Sequence, residues 1–453
     1  MNNQFDELTE SLAQSVTRRA ALKNFGVGLA GVALSAWLAL PAIADDDSLR
    51  GQPLQLAVAL APGAPADQTI SATLSRPSRR GGTLQILLHG ATYSHVYWDF
   101  PYRPERYSYV RAMSRAGYAT LNMDRLGIGA SSHPPVDALT RTSEAYVTHQ
   151  LVQLALSGGL DGEPFDHVVL VGHSLGVLIG ITEAGTYGDV SGLVLSGNIH
   201  NDADPVTWDA FVSALLPAQQ ASPQFANLPD GYLTTATGSR SVFYYLPGAE
   251  PQVIAIDDAT RGTGAFSEAE GKDMSKAIQV PILASVGEFD GFNGCVSSCG
   301  LRKSPLPPPD GLAAEGKWFP KAPTFDVYLQ AQAGHDQNLH VTAPDFYAAV
   351  RSWLASHGFG PGNRITNPNE RKNIHNKFEE LTKSLAQSVT RGAALKKFGV
   401  GLACMALACF GLADRAQGAN VKCAAYGQSC GTNSLGKISS RARRTLPLPL
   451  PLL

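Results

Sequence analysis

Leu170-Val171-Gly172-His173-Ser174-Leu175-Gly176 is the stretch whose reading decides the fold of this chain. An apolar run, Val168-Val169-Leu170-Val171, arrives at Gly172, and a small-residue run leaves from Gly176. That pattern predicts a strand, a sharp turn and a helix, with Ser174 at the apex. A serine on so tight a turn crowds the positions two before and two after it, where a Cβ would clash, and both are glycine here. The competing reading is an ordinary glycine turn, since small-residue turns recur by chance.

Outward from this point the chain alternates strands and helices. Segments 54–60 and 69–74 read as two short strands joined by a Pro/Gly-rich turn, an opening hairpin. Leu84-Gln85-Ile86-Leu87-Leu88 has the compact apolar character of a buried central strand. A helix at 107–116, a strand at 118–123 and a helix at 142–156 lead to the Ser174 turn. Beyond it come strands at 192–195, 280–286 and 325–329 and a last helix at 345–355. The expected fold class is α/β, a mostly parallel sheet flanked by helices. In such sheets active sites gather beyond the carboxyl ends of the strands.

Gly-x-Ser-x-Gly between a strand and a helix resembles the nucleophile elbow of the α/β-hydrolase superfamily, and the resemblance runs from about residue 54 to 356. It implies that Ser174 is a nucleophile, and a serine hydroxyl is a poor one unless a base removes its proton. The superfamily orders its triad as Ser, acid, His. Ala333-Gly334-His335-Asp336 follows the last strand, so the resemblance implies His335 as the base, with His340 its rival. His173, inside the elbow, would face away from the Ser174 hydroxyl. The third member must orient the imidazole and stabilise its charge. Ser285-Val286-Gly287-Glu288-Phe289-Asp290-Gly291 resembles the family's Gly-x-x-Asp turn and implies Asp290, with Glu288 a loop carboxylate. Some members carry the acid after the preceding strand, where this chain has Ser196-Gly197-Asn198.

Acyl transfer also needs donors aimed at the developing oxyanion. The resemblance implies the backbone N–H of Leu175 and one from the loop after Leu87-Leu88-His89-Gly90, with Ala91 the first choice and Thr92 the fallback. Asp124-Arg125-Leu126-Gly127-Ile128-Gly129-Ala130-Ser131 resembles a structural turn of the same family. It lacks the third glycine and the lysine of a phosphate loop, which argues against nucleotide binding.

Composition sets outer bounds. The chain has 453 residues, a formal charge of −2 and 44% hydrophobic residues, which suits a globular core and points to neither nucleic acid nor an anionic membrane as partner. Six cysteines form no metal-ligand array. Thr17-Arg18-Arg19-Ala20-Ala21-Leu22-Lys23, a weakly apolar run at 25–40 and Pro41-Ala42-Ile43-Ala44 describe a removable export signal over 1–44, similar to a twin-arginine signal. The apolar run falls short of the roughly 20 residues that span a bilayer, so no stable membrane span is expected. The text of 11–29, SLAQSVTRRAALKNFGVGL, returns at 384–402 as SLAQSVTRGAALKKFGVGL, a duplicated signal segment that has lost one arginine. The expected organisation is a signal at 1–44, a catalytic domain at 45–366 and an appended, non-catalytic tail at 367–453. The alternative for that tail is an anchor through 398–413.

The stretch from about 198 to 276 sits where this family inserts a cap. It carries Trp208, Phe211, Leu215, Leu216, Tyr232, Phe243, Tyr244 and Tyr245. These either form an apolar lid over an acyl pocket or merely pack the cap onto the sheet. Cys295 and Cys299 form a disulfide or stay a free thiol pair. The expectation is an exported serine hydrolase cleaving a small-molecule ester, apolar in character, through an acyl-enzyme. No metal or organic cofactor is implied. The same triad also serves amidases, peptidases and acyltransferases, and a non-catalytic binding protein could keep the fold.

Overall fold

The computed structural model describes residues 51–77, 82–200, 203–269, 272–294 and 312–361. The expected signal at 1–44, the appended tail at 367–453 with its repeat, and the Cys295/Cys299 pair lie outside the described residues. Among the described residues no helix is long and apolar enough to cross a membrane.

Eight strands form one sheet. Strands β1 (Gln52–Val58) and β2 (Gln68–Ser75) make the expected antiparallel hairpin, with Leu56 opposite Ile70. The hairpin joins β4 (Ala119–Met123) in antiparallel fashion. From there the sheet is parallel through β3 (Thr83–Leu88), β5 (His167–His173), β6 (Gly192–Ser196), β9 (Ile282–Gly287) and β10 (Phe325–Gln330). Strands β3, β4, β6 and β9 are buried along their whole length, because both faces of the sheet are covered.

Successive residues of a strand point to opposite faces, so each central strand feeds two cores. Ile86, Leu88, Val168 and Leu170 pack with Val147 and Leu151 of helix α2 (Arg141–Ser157) and Val177 and Ile181 of α3 (Leu175–Tyr187). Leu87, Val169 and Val171 pack on the other face with Met113 of α1 (Tyr109–Arg115) and Phe346, Val350 and Leu354 of a C-terminal helix (Ala343–Ser356). The helix expected at 107–116 is present but starts two residues later, at Tyr109, behind a separate helical turn. A short turn, Pro104–Tyr107, ends at Ser108, whose extended backbone and side chain cap α1 by accepting from the Arg111 N–H.

Between β6 and β9 the chain leaves the sheet. This segment contains α4 (Pro205–Ala214), a two-stranded ribbon of β7 (Leu215–Pro217) and β8 (Leu233–Thr235), and α5 (Pro251–Thr260). The loops after β3, β5, β9 and β10 carry the residues considered next, all at carboxyl ends of parallel strands.

Candidate active site

Ser174 sits at φ 52°, ψ −120°, a backbone region that a residue with a side chain occupies only under strain. Its surroundings enforce that conformation. A Cβ at Gly172 would lie 2.6 Å from the Gly176 carbonyl oxygen, and one at Gly176 would lie 2.1 Å from that of Leu88. The second glycine is therefore required by contact with the end of β3 and not by the turn alone. The Ser174 N–H donates to the Ser196 carbonyl at 2.9 Å, which ties the turn to β6. Ser174 is itself half-buried among fully buried neighbours, so its side chain stands at the reachable tip. Leu175 is the first residue of the 13-residue helix α3. Its N–H belongs to the first turn, whose donors lack helical partners and carry the positive end of the helix dipole.

The acid and base loops are joined by their backbones. The Phe289 N–H donates to the Ala333 carbonyl at 2.8 Å, and a Cβ at Gly287 would lie 2.1 Å from the Gly334 carbonyl. That approach brings His335 Nδ1 to 3.1 Å from Asp290 Oδ1 and 3.2 Å from Oδ2. Asp290 is held in turn by the Phe292 N–H at 3.0 Å and the Asn293 side-chain amide at 2.7 Å. Burial opposes charge on His335, but the Asp290 carboxylate and its hydrogen bond outweigh it and hold the imidazole above the ordinary histidine range. Below the loop, Gln337 accepts from the Ser196 hydroxyl at 2.7 Å and donates to that of Ser285 at 2.6 Å, anchoring it to β6 and β9.

The His335 ring lies 4.8 Å from that of His173, the residue before the nucleophile. His173 is buried, stacked on Tyr97 at 4.3 Å, and burial followed by the charge of His335 keeps its pKa well below the usual value. It remains a neutral packing partner. His340 has no freedom to act as a base. Its Nδ1 donates to the Asp336 carbonyl at 2.8 Å, while Nε2 accepts from the Tyr245 and Gly334 N–H groups, each at 3.0 Å. Glu288 accepts from the Gln332 N–H at 3.0 Å and pins the loop after β10.

The loop after β3 lies against the elbow, where a Cβ on Gly90 would come 3.0 Å from the Ser174 Cβ. The fallback donor Thr92 is ruled out. Its N–H donates to the Thr263 carbonyl at 3.0 Å, and its own carbonyl accepts from the Gly262 N–H at 2.9 Å. Ala91 stays as the candidate on this loop, between Gly90 and a Thr92 clamped by the 262–264 segment. Two buried arginines brace the loop further. Arg125 Nε donates to the His89 carbonyl at 3.1 Å, while its guanidinium contacts Glu268 at 3.1 Å and Glu144 at 3.7 Å. Arg240 donates to the Thr92 hydroxyl at 2.9 Å and pairs with Asp257, its Nε 2.9 Å from Oδ2.

The aromatics between β6 and β9 divide. Phe243 stacks on the His335 ring at 6.0 Å, and Phe211 packs on Phe243 at 5.7 Å. Phe292, which sequence reasoning missed, completes this wall 4.5 Å from His335. Tyr232 instead packs against the 124–131 turn and donates to the Pro134 carbonyl at 2.6 Å, and Tyr245 stacks on Phe289 at 3.9 Å. Also missed is a buried cluster beneath His335. The Tyr93 hydroxyl donates to Asp336 at 2.6 Å, and burial lifts the Asp336 carboxyl above the usual range despite the opposing charge of Arg240. Asp336 follows His335 directly and was open to notice. Arg240 and Tyr93 belong to distant irregular segments, and nothing in the text of the chain links them.

A family model described as "Alpha/beta hydrolase family" matches residues 85–350. No curated protein matches the chain. Among solved structures, a thermophilic esterase from Thermogutta terrifontis is similar at 17% identity and TM-score 0.44, over 68% of this chain and 99% of that one. The Pyrococcus furiosus esterase PF2001 is 14% identical at TM-score 0.43, over 68% and 92%. A bromoperoxidase from Bacillus anthracis is 20% identical at TM-score 0.42, over 67% and 100%.

Proposed function

The chain belongs to the α/β-hydrolase family, and from that premise we propose that it is a serine hydrolase cleaving carboxylic esters through an acyl-enzyme. The observation that carries this reading is the paired contact of His335 Nδ1 with both oxygens of Asp290, on a ring 4.8 Å from that of His173, the residue before a strained Ser174. With Nδ1 engaged by Asp290, the Nε2 lone pair of neutral His335 is the one available to take the Ser174 proton. Ser174 attacks the ester carbonyl. The resulting oxyanion is held by the N–H groups of Leu175 and Ala91 at the positive end of α3. His335 then gives its proton to the leaving alcohol, and water repeats the sequence to release the acid.

The wall of Phe211, Phe243 and Phe292 supports an apolar acyl or alcohol part. The expected signal at 1–44 supports export. A panel of p-nitrophenyl esters of rising chain length tests the reading. Turnover that grows with acyl length is expected, whereas hydrolysis of none of them would redirect the assignment to a peptidase or acyltransferase on the same triad.

A further inference from the structure

Helix α3 begins at the candidate nucleophile and ends at a second cluster of chemistry-bearing side chains that the proposed reaction does not use. Glu183 lies nine residues beyond Ser174, about 13 Å along the helix. It is fully buried, and neither carboxylate oxygen has a hydrogen-bond partner outside its immediate cluster. Asp189, in the loop between α3 and β6, and His149, on the adjoining helix α2, complete the group. His149 Nδ1 stands 2.8 Å from Asp189 Oδ2 and 3.8 Å from Glu183 Oε1. One ligand-type atom from each of the three lies within 4.8 Å of the others.

Two carboxyls and one imidazole crowd into this space, and a buried carboxylate without a donor or a cation is costly. Asp189 is served by Gln153, one turn along α2 from His149, as well as by His149 itself. Glu183 has no donor outside the cluster, its one hydrogen bond being shared with Asp189, and its Oε1 faces the same point. The His149 ring is held by stacking on Tyr187 at 4.0 Å, which fixes the direction of its nitrogen. The side chains of His149 and Asp189 are each 10% exposed, so the group opens to solvent at its rim while Glu183 forms its floor.

The geometry points to a divalent-metal site formed by His149, Glu183 and Asp189, which clamps the end of the elbow helix to α2. One nitrogen and two oxygen donors suit a borderline first-row cation such as Zn²⁺ better than Ca²⁺ or Mg²⁺, which favour oxygen alone. Tetrahedral bonds of about 2.1 Å would bring the donor atoms to about 3.4 Å apart, a rotamer-scale contraction of the present cluster. The rim leaves a fourth position for water. The site is structural, since no member touches the residues proposed for catalysis.

The test is titration of the full-length, chelator-treated protein with ZnSO₄, read by calorimetry and thermal melting. One equivalent bound at this site and a higher Tm are expected, with at least about tenfold weaker binding and loss of the Tm shift in Glu183→Gln and His149→Gln. Ser174→Ala should bind Zn²⁺ as the parent does. Asp189→Asn, nearer the surface, serves if Glu183→Gln fails to fold. No Zn²⁺-dependent shift, a shift undiminished in the folded variants, or an equal shift with CaCl₂ would overturn the proposal.

Discussion

His335 gives the residue scale its sharpest consequence. To accept the serine proton in the proposed reaction it must be neutral, and Asp290 holds its pKa above the ordinary histidine value. The acid limb of kcat/KM is therefore expected to inflect above about pH 6.5, with activity rising as the pH passes that point. The linked stability runs the other way. A histidine with a raised folded pKa stabilises fully below its unfolded value, and that contribution is lost as pH rises through the folded one. Asp290→Asn should lower kcat by about 10⁴-fold and move the limb to lower pH. A limb that stays in place in this variant would show that some other group titrates. At this scale the placement of Ser174, Asp290 and His335 beyond strand ends was legible in the sequence, because each follows a strand in a recognisable local pattern. It was not legible for Arg240 or Phe292, whose roles depend on where irregular chain returns to the site.

At the scale of elements, the contact that matters is α3 against the end of β3. Gly176 permits it, since a Cβ there would lie 2.1 Å from the Leu88 carbonyl oxygen, and backbone cannot step aside. Gly176→Ala is expected to destabilise the fold by roughly 1–3 kcal/mol and to reduce kcat, because the shift displaces the proposed oxyanion donors. Gly180, one turn further on, meets only ordinary contacts at 3.7–3.9 Å. Gly180→Ala should leave the stability unchanged or raise it by up to about 1 kcal/mol through helix propensity. Equal losses for both in urea denaturation would mean that the helix, rather than its contact with β3, is what the glycines protect. The strands of the sheet could be read from their apolar runs to within a few residues. The break at Ser108 could not, because its cap competes with a continuous helical pattern over the same residues.

For the whole molecule, the described residues proposed for catalysis fall between 91 and 335, and the family match spans 85–350. We propose that residues 45–366 form the catalytic domain, with the segment at 367–453 an appendage. A chain of 45–366 alone should retain the kcat/KM of the full chain and its urea midpoint, and a marked loss of either would place a needed element in the tail. Charge, composition and alternating elements made the sheet and its class legible. The buried Arg125–Glu268 and Arg240–Asp257 pairs, which tie the loop after β3 to the segment between β6 and β9, were not. Their partners are 143 and 17 residues apart, and only the folded chain brings them together.

The central claim is that Ser174 is activated by His335. A fluorophosphonate probe followed by peptide mass spectrometry tests it directly. The expected result is a single covalent adduct on Ser174, lost in His335→Ala and in Ser174→Ala. Contradiction would come from labelling of a different serine, no labelling of the folded parent protein, or an adduct on Ser174 that forms as fast in His335→Ala.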